Sequence, residues 1–257
     1  MAMTPVFARH PIRLLVIALL IGASLSGCGM RIEVVADDPP QSLAAFNDSC
    51  QGLITRLVDQ QGRLDADSLL ASESELDRLI VAIGQLDEPD AGPERIVYRL
   101  NAYHLVVIKS VIVNGLPRDL GSALAYGAVF DRTSCRLGGE RTTPAAYAAR
   151  IVADGADPRL RAALSELTVD GPRLRWWQAA TLDADLDQAM RELAPPRGLD
   201  HAGRLLLLAP TIGRHRDDFP ATDQELLLLL DGYLSEPLPA GYQIGYASAD
   251  LRVRYRL

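Results

Sequence analysis

The sequence predicts a helix-rich α+β fold: a single domain with a small β-hairpin and a few short strands. Apolar residues recur every three to four positions over long stretches, which is the period of an amphipathic helix. Shorter alternating or continuous apolar runs stand between glycine and proline residues, as short strands do. The 257 residues are enough to bury a full core, and length alone allows one or two domains.

The helices are predicted from this period together with start and stop signals. Ser72 or Ser74 is a candidate cap, Thr143-Pro144 and Asp157-Pro158 are helix starts, and Thr222 with Glu225 makes a capping box. Glycine, asparagine and proline mark the ends. The predicted helices, in chain order, cover residues 42–60, 72–86, 92–113, 144–151, 158–167, 182–194 and 224–234.

Three segments are predicted as strands. Two short alternating runs around Asp131-Arg132 and Gly138-Gly139 are typical of a hairpin. The continuous apolar run in residues 204–210 indicates a buried strand, because it is short and lies between Gly203 and Pro210. The tail over residues 242–257 alternates in the way that a strand does.

The first 27 residues have the order of a secretory signal peptide. A segment with Arg9 and Arg13 and no acid precedes an apolar run of about 11 residues, shorter than the roughly 20 that a membrane-spanning helix needs. Leu25-Ser26-Gly27-Cys28 resembles the lipobox of bacterial lipoproteins, in which the cysteine is acylated. The alternative is ordinary cleavage that leaves Cys28 unmodified. We therefore expect a signal peptide over residues 1–27, a lipidated N-terminus and tether over 28–42, and a domain over 43–257.

Lipidation of Cys28 predicts a partner and a location. Several acyl chains on one cysteine exceed what stable membrane attachment requires. Gly29 in the next position resembles lipoproteins of the outer membrane, so we expect the periplasmic face of that membrane in the cell envelope. Removing Arg9 and Arg13 leaves 24 basic residues (26 − 2) against 33 acidic ones. This acidic chain argues against nucleic acid as a partner, since that needs clustered cations.

Two cysteines remain after Cys28. Cys50 and Cys135 lie in a chain expected outside the cytoplasm, where disulfides persist. The sequence leaves two alternatives open, a disulfide between them or two buried and inert thiols. Neither cysteine stands beside a histidine or in a Cys-x-x-Cys pair, which argues against a nucleophile or a zinc ligand.

Six short motifs resemble the domain of unknown function 547 family in order and spacing. That family has segments similar to GRVDY, FWINAYN, FDR, DPRIHFAL followed by a Cys-Pro segment, and LYLSKIFKWYREDF. The resemblance spans about residues 46–252. Its motifs here are GRLD (62–65), IVYRLNAYHLVVIK (96–109), VFDRTSCRLGG (129–139), DPRLRAAL (157–164), LDADLDQA (182–189) and LLAPTIGRHRDDF (207–219).

The resemblance implies that this chain lacks the histidine and the cysteine that family members pair. Family members pair a histidine with a cysteine, which suggests cysteine-peptidase-like or acyl-transfer enzymes. In this chain the histidine position of DPRIHFAL falls at Arg161 and the cysteine before proline falls at Gly171. Arginine stays protonated and cannot act as a general base, and glycine has no side chain. We therefore expect a degenerate member whose catalytic residues are absent.

The candidate binding cleft contains Asn101, Tyr103, His104, Arg161 and His215. Asn101 and His104 lie three apart on one helix face. For Asn101 the alternative is a buried amide that bonds the backbone of a neighbouring loop, and for His104 it is a satisfied histidine. His215 with Asp218 supplies too few ligands for a metal, so we expect no metal and no cofactor.

The predicted function is that of a membrane-anchored periplasmic lipoprotein. Its domain would act as a non-catalytic binding or scaffold module for an envelope protein or a cell-wall ligand. This prediction follows from the anchor and from the missing histidine and cysteine. The alternative is a cysteine-peptidase-like or acyl-transfer hydrolase with a relocated active site, which would use other residues such as His104 or His215.

Overall fold

The protein is described by a computed structural model that covers residues 29–137, 139–200, 202–238 and 241–256. The signal peptide over residues 1–27 and the lipidation site Cys28 lie outside these ranges. Within them, helices predominate and short strands form small sheets. The predicted fold class, a helix-rich α+β domain, is confirmed.

The domain begins with a group of helices that end close to where the sequence predicts. Helix α1 (Leu43–Leu57) starts at Ser42, whose hydroxyl accepts a hydrogen bond from the Ala45 amide. Strand β1 and helix α2 follow, and then α3 begins after Ser72. The bounds are β1 (Leu64–Asp65), α2 (Ala66–Ala71) and α3 (Glu73–Gln85). The predicted helices over 42–60 and 72–86 are confirmed apart from their ends.

Helix α4 (Gly92–Val113) forms the centre of the core. By length and composition it could cross a membrane, but most of it is buried within the domain. It packs against α3 and against the helices that follow, so apolar residues occur all around it. It ends where predicted, at Asn114 and at Gly115, whose φ of +77° suits glycine.

The segment after α4 differs in part from the prediction. Residues around Asp131-Arg132, predicted as a strand, form α5 (Ala123–Gly127) and a π-helical turn (Ala128–Arg132). Ser122 caps α5 through the Ala125 amide, which starts a helix that the strand-like alternation does not reveal. The hairpin itself is present, with β2 (Cys135–Leu137) paired to antiparallel β3 (Glu140–Thr142).

Helix α6 (Pro144–Gly155) starts at Thr143 as predicted and runs past Ile151. The predicted helix over 158–167 is wrong, because only the single turn α7 (Leu160–Ala163) forms. Residues 164–168 are instead buried in an irregular path, and the Leu167 carbonyl accepts a hydrogen bond from the Arg254 amide. Tertiary contacts therefore override the local helical pattern. Helix α8 (Leu182–Leu193) is as predicted.

The C-terminal part forms a three-stranded sheet and returns to the start of the domain. Strand β5 pairs antiparallel with β4 and parallel with β6, while β7 pairs parallel with β1. The tail over residues 242–257, predicted as one strand, therefore contains two strands that belong to two sheets. Between them the Asp250 amide donates to the Asp170 carboxylate, where the chain changes direction. The bounds are β4 (Gly198–Asp200), β5 (Leu205–Leu208), α9 (Pro210–Arg214), a 3-10 turn (Arg216–Asp218), α10 (Asp223–Asp231), β6 (Gln243–Tyr246) and β7 (Tyr255–Arg256).

The segment predicted as a tether over 28–42 is attached to the domain at its start. The Ile32 amide donates to the Ser134 carbonyl at 2.8 Å, and the Ser134 amide donates to the Met30 carbonyl at 2.9 Å. Ile32 is buried in the core. The first described residues are therefore part of the folded domain, since one apolar side chain and two backbone hydrogen bonds hold them against the hairpin.

Both described cysteines are free and buried. Cys50 lies on α1 and Cys135 on β2, and the disulfide that the sequence left open is not formed. Burial, with a smaller effect from Glu75, raises the pKa of Cys50 well above its usual range. Burial raises the pKa of Cys135 to about 12. At neutral pH both side chains are therefore protonated thiols of low reactivity.

We predict that, in a Cys28→Ser protein without reductant, the disulfide reagent DTNB labels no thiol at pH 8 in the native state. In 6 M guanidinium it should label two, because unfolding exposes Cys50 and Cys135. The absorbance of the released thionitrobenzoate measures both numbers. A count of zero in guanidinium, rising to two after reduction, would instead show a disulfide.

Candidate functional site

The side chain of Glu166 is the centre of the candidate site, and only 1% of it is exposed. The chain reaches it directly after α7. Ser165 holds the turn, because its hydroxyl donates to the Pro172 carbonyl and accepts from the Leu167 amide. Leu167 has a φ of +59°, a left-handed conformation that is unfavourable for leucine. The strained backbone next to Glu166 is held by the surrounding structure.

Four side chains bind the Glu166 carboxylate. The Arg161 Nη2 lies 3.3 Å from Oε1, and the Tyr126 hydroxyl donates to the same oxygen at 2.8 Å. The His215 Nε2 lies 2.7 Å from Oε1, and the Arg214 guanidinium donates to Oε2. These partners come from α7, α5 and the end of α9. We call the five residues the Glu166 cluster.

The Glu166 cluster keeps its central carboxylate ionised. Burial alone would raise the pKa of Glu166, but the hydrogen bond from His215 and the charges of Arg161 and Arg214 more than offset it. The result is a pKa of about 2, below the usual value of 4.5. An ionised carboxylate is an acceptor only, so the His215 Nε2 and the Tyr126 hydroxyl both act as donors.

One side of the cluster reaches solvent. The side chains of Arg214 and His215 are 24% and 19% exposed. Asp218 contacts the Arg161 Nη1 at 3.4 Å and adds a second carboxylate at the rim. Within the described ranges, no group of three or more histidine, cysteine, aspartate or glutamate side chains could hold a metal ion.

Tyr103 lies in the core beside the Glu166 cluster. It is fully buried, and burial raises the pKa of its hydroxyl far above the usual 10, with Arg161 lowering it and Glu166 raising it further. Tyr103 therefore stays neutral at any physiological pH. Its ring packs against that of His104 at a tilt of 59°, with centroids 5.4 Å apart.

Asn101 and His104 hold the backbone of neighbouring loops. The Asn101 side chain accepts from the Trp177 amide at 3.1 Å and donates to the Trp177 carbonyl at 3.0 Å. The His104 Nε2 lies 3.1 Å from the Ala163 carbonyl and 3.3 Å from the Ser165 amide. Burial lowers the pKa of His104 to about 3, so it is neutral. Both residues are buried. The Asn101 amide is engaged on both sides, as its structural alternative expects, whereas the His104 Nδ1 has no hydrogen-bond partner among the described residues.

The predicted cleft residues are thus divided into two groups. Arg161 and His215 meet at Glu166, and Tyr103 lies next to them, whereas Asn101 and His104 contact backbone. Glu166, Tyr126 and Arg214 are not among the residues that the sequence predicts for the site. Ser-Glu-Leu at 165–167 has the appearance of an exposed helix turn, and no local pattern signals that its glutamate is buried.

Gly171, the other position singled out by the resemblance, has no room for a side chain. A Cβ built there would lie 2.7 Å from the Thr168 Oγ1, closer than real Cβ contacts. Gly171 lines a cavity of about 260 Å³ together with Arg173, Arg197 and Arg254. A cysteine at this position would therefore require Thr168 to shift.

Next to this cavity lies an arginine-rich pocket of about 480 Å³. The two share Val169, Arg173 and Arg254. The apolar part of the pocket is formed by Val169, Val253 and Tyr255, and none of the described residues that line it is acidic. We call it the arginine pocket; its cations are Arg63, Arg118, Arg173, Arg252 and Arg254.

Not all charges of the arginine pocket are neutralised. Arg63 and Arg252 pair with Asp59 and Asp250, and Arg173 lies 3.6 Å from Glu192. Arg254 donates to the backbone carbonyls of Val169 and Gly171, which leaves its positive charge in place. Arg118 is exposed and has no ion-pair partner in the described chain. The pocket therefore combines an apolar surface with excess positive charge in an otherwise acidic protein.

Residues 90–193 match the model of a family described as protein of unknown function, DUF547. The match includes α4 to α8, and with them Arg161, Glu166 and Gly171. For these residues it confirms the resemblance seen in the motifs. No curated protein and no solved structure matches the chain.

We predict that Glu166→Gln costs about 3–5 kcal/mol of unfolding free energy at pH 7, because it removes the buried partner of Arg161 and leaves this guanidinium only the more exposed Asp218. In the wild type, the lowered pKa of Glu166 stabilises the fold above about pH 4.5, and this stabilisation is lost as the pH falls towards 2. Urea unfolding at a series of pH values should show a shallower acid loss in Glu166→Gln.

The matched control is Glu236→Gln, which changes an exposed glutamate. It should reproduce the wild-type stability and pH dependence. If Glu166→Gln lost stability in parallel with the wild type between pH 4.5 and 2, Glu166 would not be the ionised centre of the cluster.

Proposed function

We propose that this protein is a lipid-anchored protein of the cell envelope, on the periplasmic face of the outer membrane, whose domain binds a ligand without turning it over. The proposal that the domain is not catalytic rests on the residues found at two positions, 161 and 171. Arg161 stands where the resemblance expects a histidine and binds Glu166. Gly171 stands where it expects a cysteine, against Thr168.

The remaining thiols and imidazoles support binding over catalysis. A cysteine nucleophile needs a thiolate and a base within hydrogen-bond reach. Cys50 and Cys135 are buried thiols with raised pKa values. His104 is neutral and contacts backbone. In the part of the chain that the structure describes, no cysteine forms a hydrogen bond with a histidine.

The arginine pocket is the site that we propose for the ligand. Its volume is within the range of small-molecule sites, and its apolar surface would bury part of such a ligand. Arg118 and Arg254 lack carboxylate partners, and guanidinium groups bind carboxylates and phosphates through paired hydrogen bonds. The chemistry fits an anionic group attached to an apolar one, as in a fragment of an envelope component.

We predict that n-octyl phosphate binds the protein, and that Arg118→Gln weakens the binding about tenfold, through loss of a charge-assisted hydrogen bond worth about 1.5 kcal/mol. Titration calorimetry below the micelle concentration measures both affinities. Inorganic phosphate tests the charge alone, and n-octyl glucoside tests the apolar part alone. Each should bind more weakly than n-octyl phosphate.

The control for Arg118→Gln is Arg78→Gln. Arg78 is also exposed and also lacks an ion-pair partner in the described chain, so both variants lose the same charge. Arg78→Gln should bind n-octyl phosphate like the wild type. Equal weakening by both variants would show that only net charge matters, and would argue against the pocket.

One observation favours the alternative function. Glu166 and His215 form a partly buried carboxylate–imidazole pair at 2.7 Å, the arrangement that orients a general base in many hydrolases. Such a base also needs a nucleophile. Within the described ranges, no hydrogen bond joins the His215 imidazole to a serine, threonine or cysteine side chain. The pair therefore supports a relocated hydrolase only if the substrate or a water supplies that group.

We predict that the wild type and His215→Gln hydrolyse acyl esters, thioesters and peptides at the same rate, equal to the buffer background. The reason is that the pair lacks a nucleophile. Release of nitrophenol, thiol or amine measures the reaction. Turnover by the wild type that disappears in His215→Gln, with n-octyl phosphate binding unchanged, would instead support the hydrolase.

A further inference from the structure

The start of the described chain is fixed on the domain surface. Gly29 lies against the backbone of Arg132, and a Cβ built on it would be 2.2 Å from the Arg132 carbonyl oxygen. Only glycine allows this approach. The paired hydrogen bonds between Met30, Ile32 and Ser134 continue the attachment. The position of residue 29 is therefore set by the domain.

This attachment leaves almost no free chain between the domain and the proposed anchor. Consecutive Cα atoms are about 3.8 Å apart, so an anchor on the residue before Gly29 would add only about that length of free chain. Acyl chains on Cys28 would enter the bilayer directly beside the π-helical turn that contains Arg132. A domain joined this closely cannot stand away from the membrane.

The residues around this point have the composition of a bilayer contact. Met30 is an exposed apolar side chain, and Leu124 is 74% exposed. The Arg132 guanidinium donates to the Leu124 carbonyl at 2.6 Å. Arg132 therefore contacts both Gly29, through its backbone, and Leu124, through its side chain. Isolated exposed leucines are common, but here one lies beside the attachment of the anchor.

The charges near the attachment are mainly positive and unpaired. Arg31, Arg132 and Arg136 are exposed and have no ion-pair partner in the described part of the chain. Of the nearby acids, Glu33 and Glu140 are paired with Arg141 and Arg150. Asp131, next to Arg132, is exposed and has no ion-pair partner in the described part of the chain, so three unpaired cations stand against one unpaired acid. Arginine side chains of this kind are attracted to anionic phospholipid headgroups. Three of the unpaired cations of this acidic chain therefore lie near the proposed anchor.

We propose that a contact face, defined as Met30, Arg31, Leu124, Arg132 and Arg136, lies on the phospholipid headgroups of the membrane that holds the anchor. This inference rests on the proposed acylation of Cys28. The domain then has one fixed orientation on the bilayer, with Leu124 at the depth of the headgroups. The occupant of the face is the bilayer itself, and no second protein is required.

The test uses the full acylated protein in vesicles of phosphatidylethanolamine and phosphatidylglycerol that contain a spin-labelled lipid. A bimane fluorophore is attached through Leu124→Cys or, as the control, through Leu228→Cys. Leu228 lies on α10 and is 75% exposed, so the two sites match in side chain and exposure. The buried Cys50 and Cys135 do not compete for the label. We expect quenching at position 124 to exceed that at position 228 at least threefold.

A second pair of variants tests the attachment. Gly29→Ala places a methyl group against Arg132 and should release the N-terminal segment, so quenching at position 124 should fall to the level at 228. Gly84→Ala is the control, because a Cβ there meets nothing within 4 Å. It should leave the quenching unchanged.

Acylation is measured separately, by incorporation of labelled palmitate and its loss in Cys28→Ser. No incorporation would overturn the anchor and this inference with it. Incorporation with equal quenching at positions 124 and 228 would overturn the contact face alone and leave the anchor in place. Incorporation with selective quenching that persists in Gly29→Ala would also overturn the inference, since the attachment would then not set the orientation.

Discussion

The buried charge of Glu166 is the constraint on which the middle of the structure depends. Removing a carboxylate from water is costly unless cations and donors surround it. Those partners come from α5, α7 and the end of α9, which are far apart in the sequence. The chain between α7 and α8 must therefore leave the helical path to bring Glu166 inside. Arg161 is also buried, so the carboxylate of Glu166 compensates its charge just as its guanidinium compensates that of Glu166.

The same constraint separates what could be predicted from what could not. Helices with a local start signal were predicted well, because Ser42, Thr143 and Thr222 cap their helices in the structure through nearby amides. The segment at 158–167 has an equally helical pattern, yet its path is decided by Arg254 and Glu166. Local periodicity carries no information about partners that are about 50 to 90 residues away.

For the candidate site, the resemblance indicates Arg161, and the charged GRHRDDF segment contains the second candidate, His215. Neither indicated that the two meet, since their shared partner is a glutamate in an ordinary local context. Asn101 stands out in the sequence because it is a polar residue on an apolar helix. The structure shows that its amide serves the Trp177 backbone. A buried polar residue thus predicts a partner but not its kind.

Arg161 and Gly171, the two positions that the resemblance singles out, are not independent of their surroundings. Arg161 could not have stood in a buried site without a buried anion, and Glu166 supplies it five residues later. Gly171 is likewise matched by Thr168, whose hydroxyl occupies the space that a side chain at 171 would need. A histidine at position 161 alone would leave the charge of Glu166 under-compensated, and a cysteine at position 171 alone would contact Thr168. The arrangement is therefore a polar core in which Arg161 and Gly171 are each matched by a neighbouring side chain.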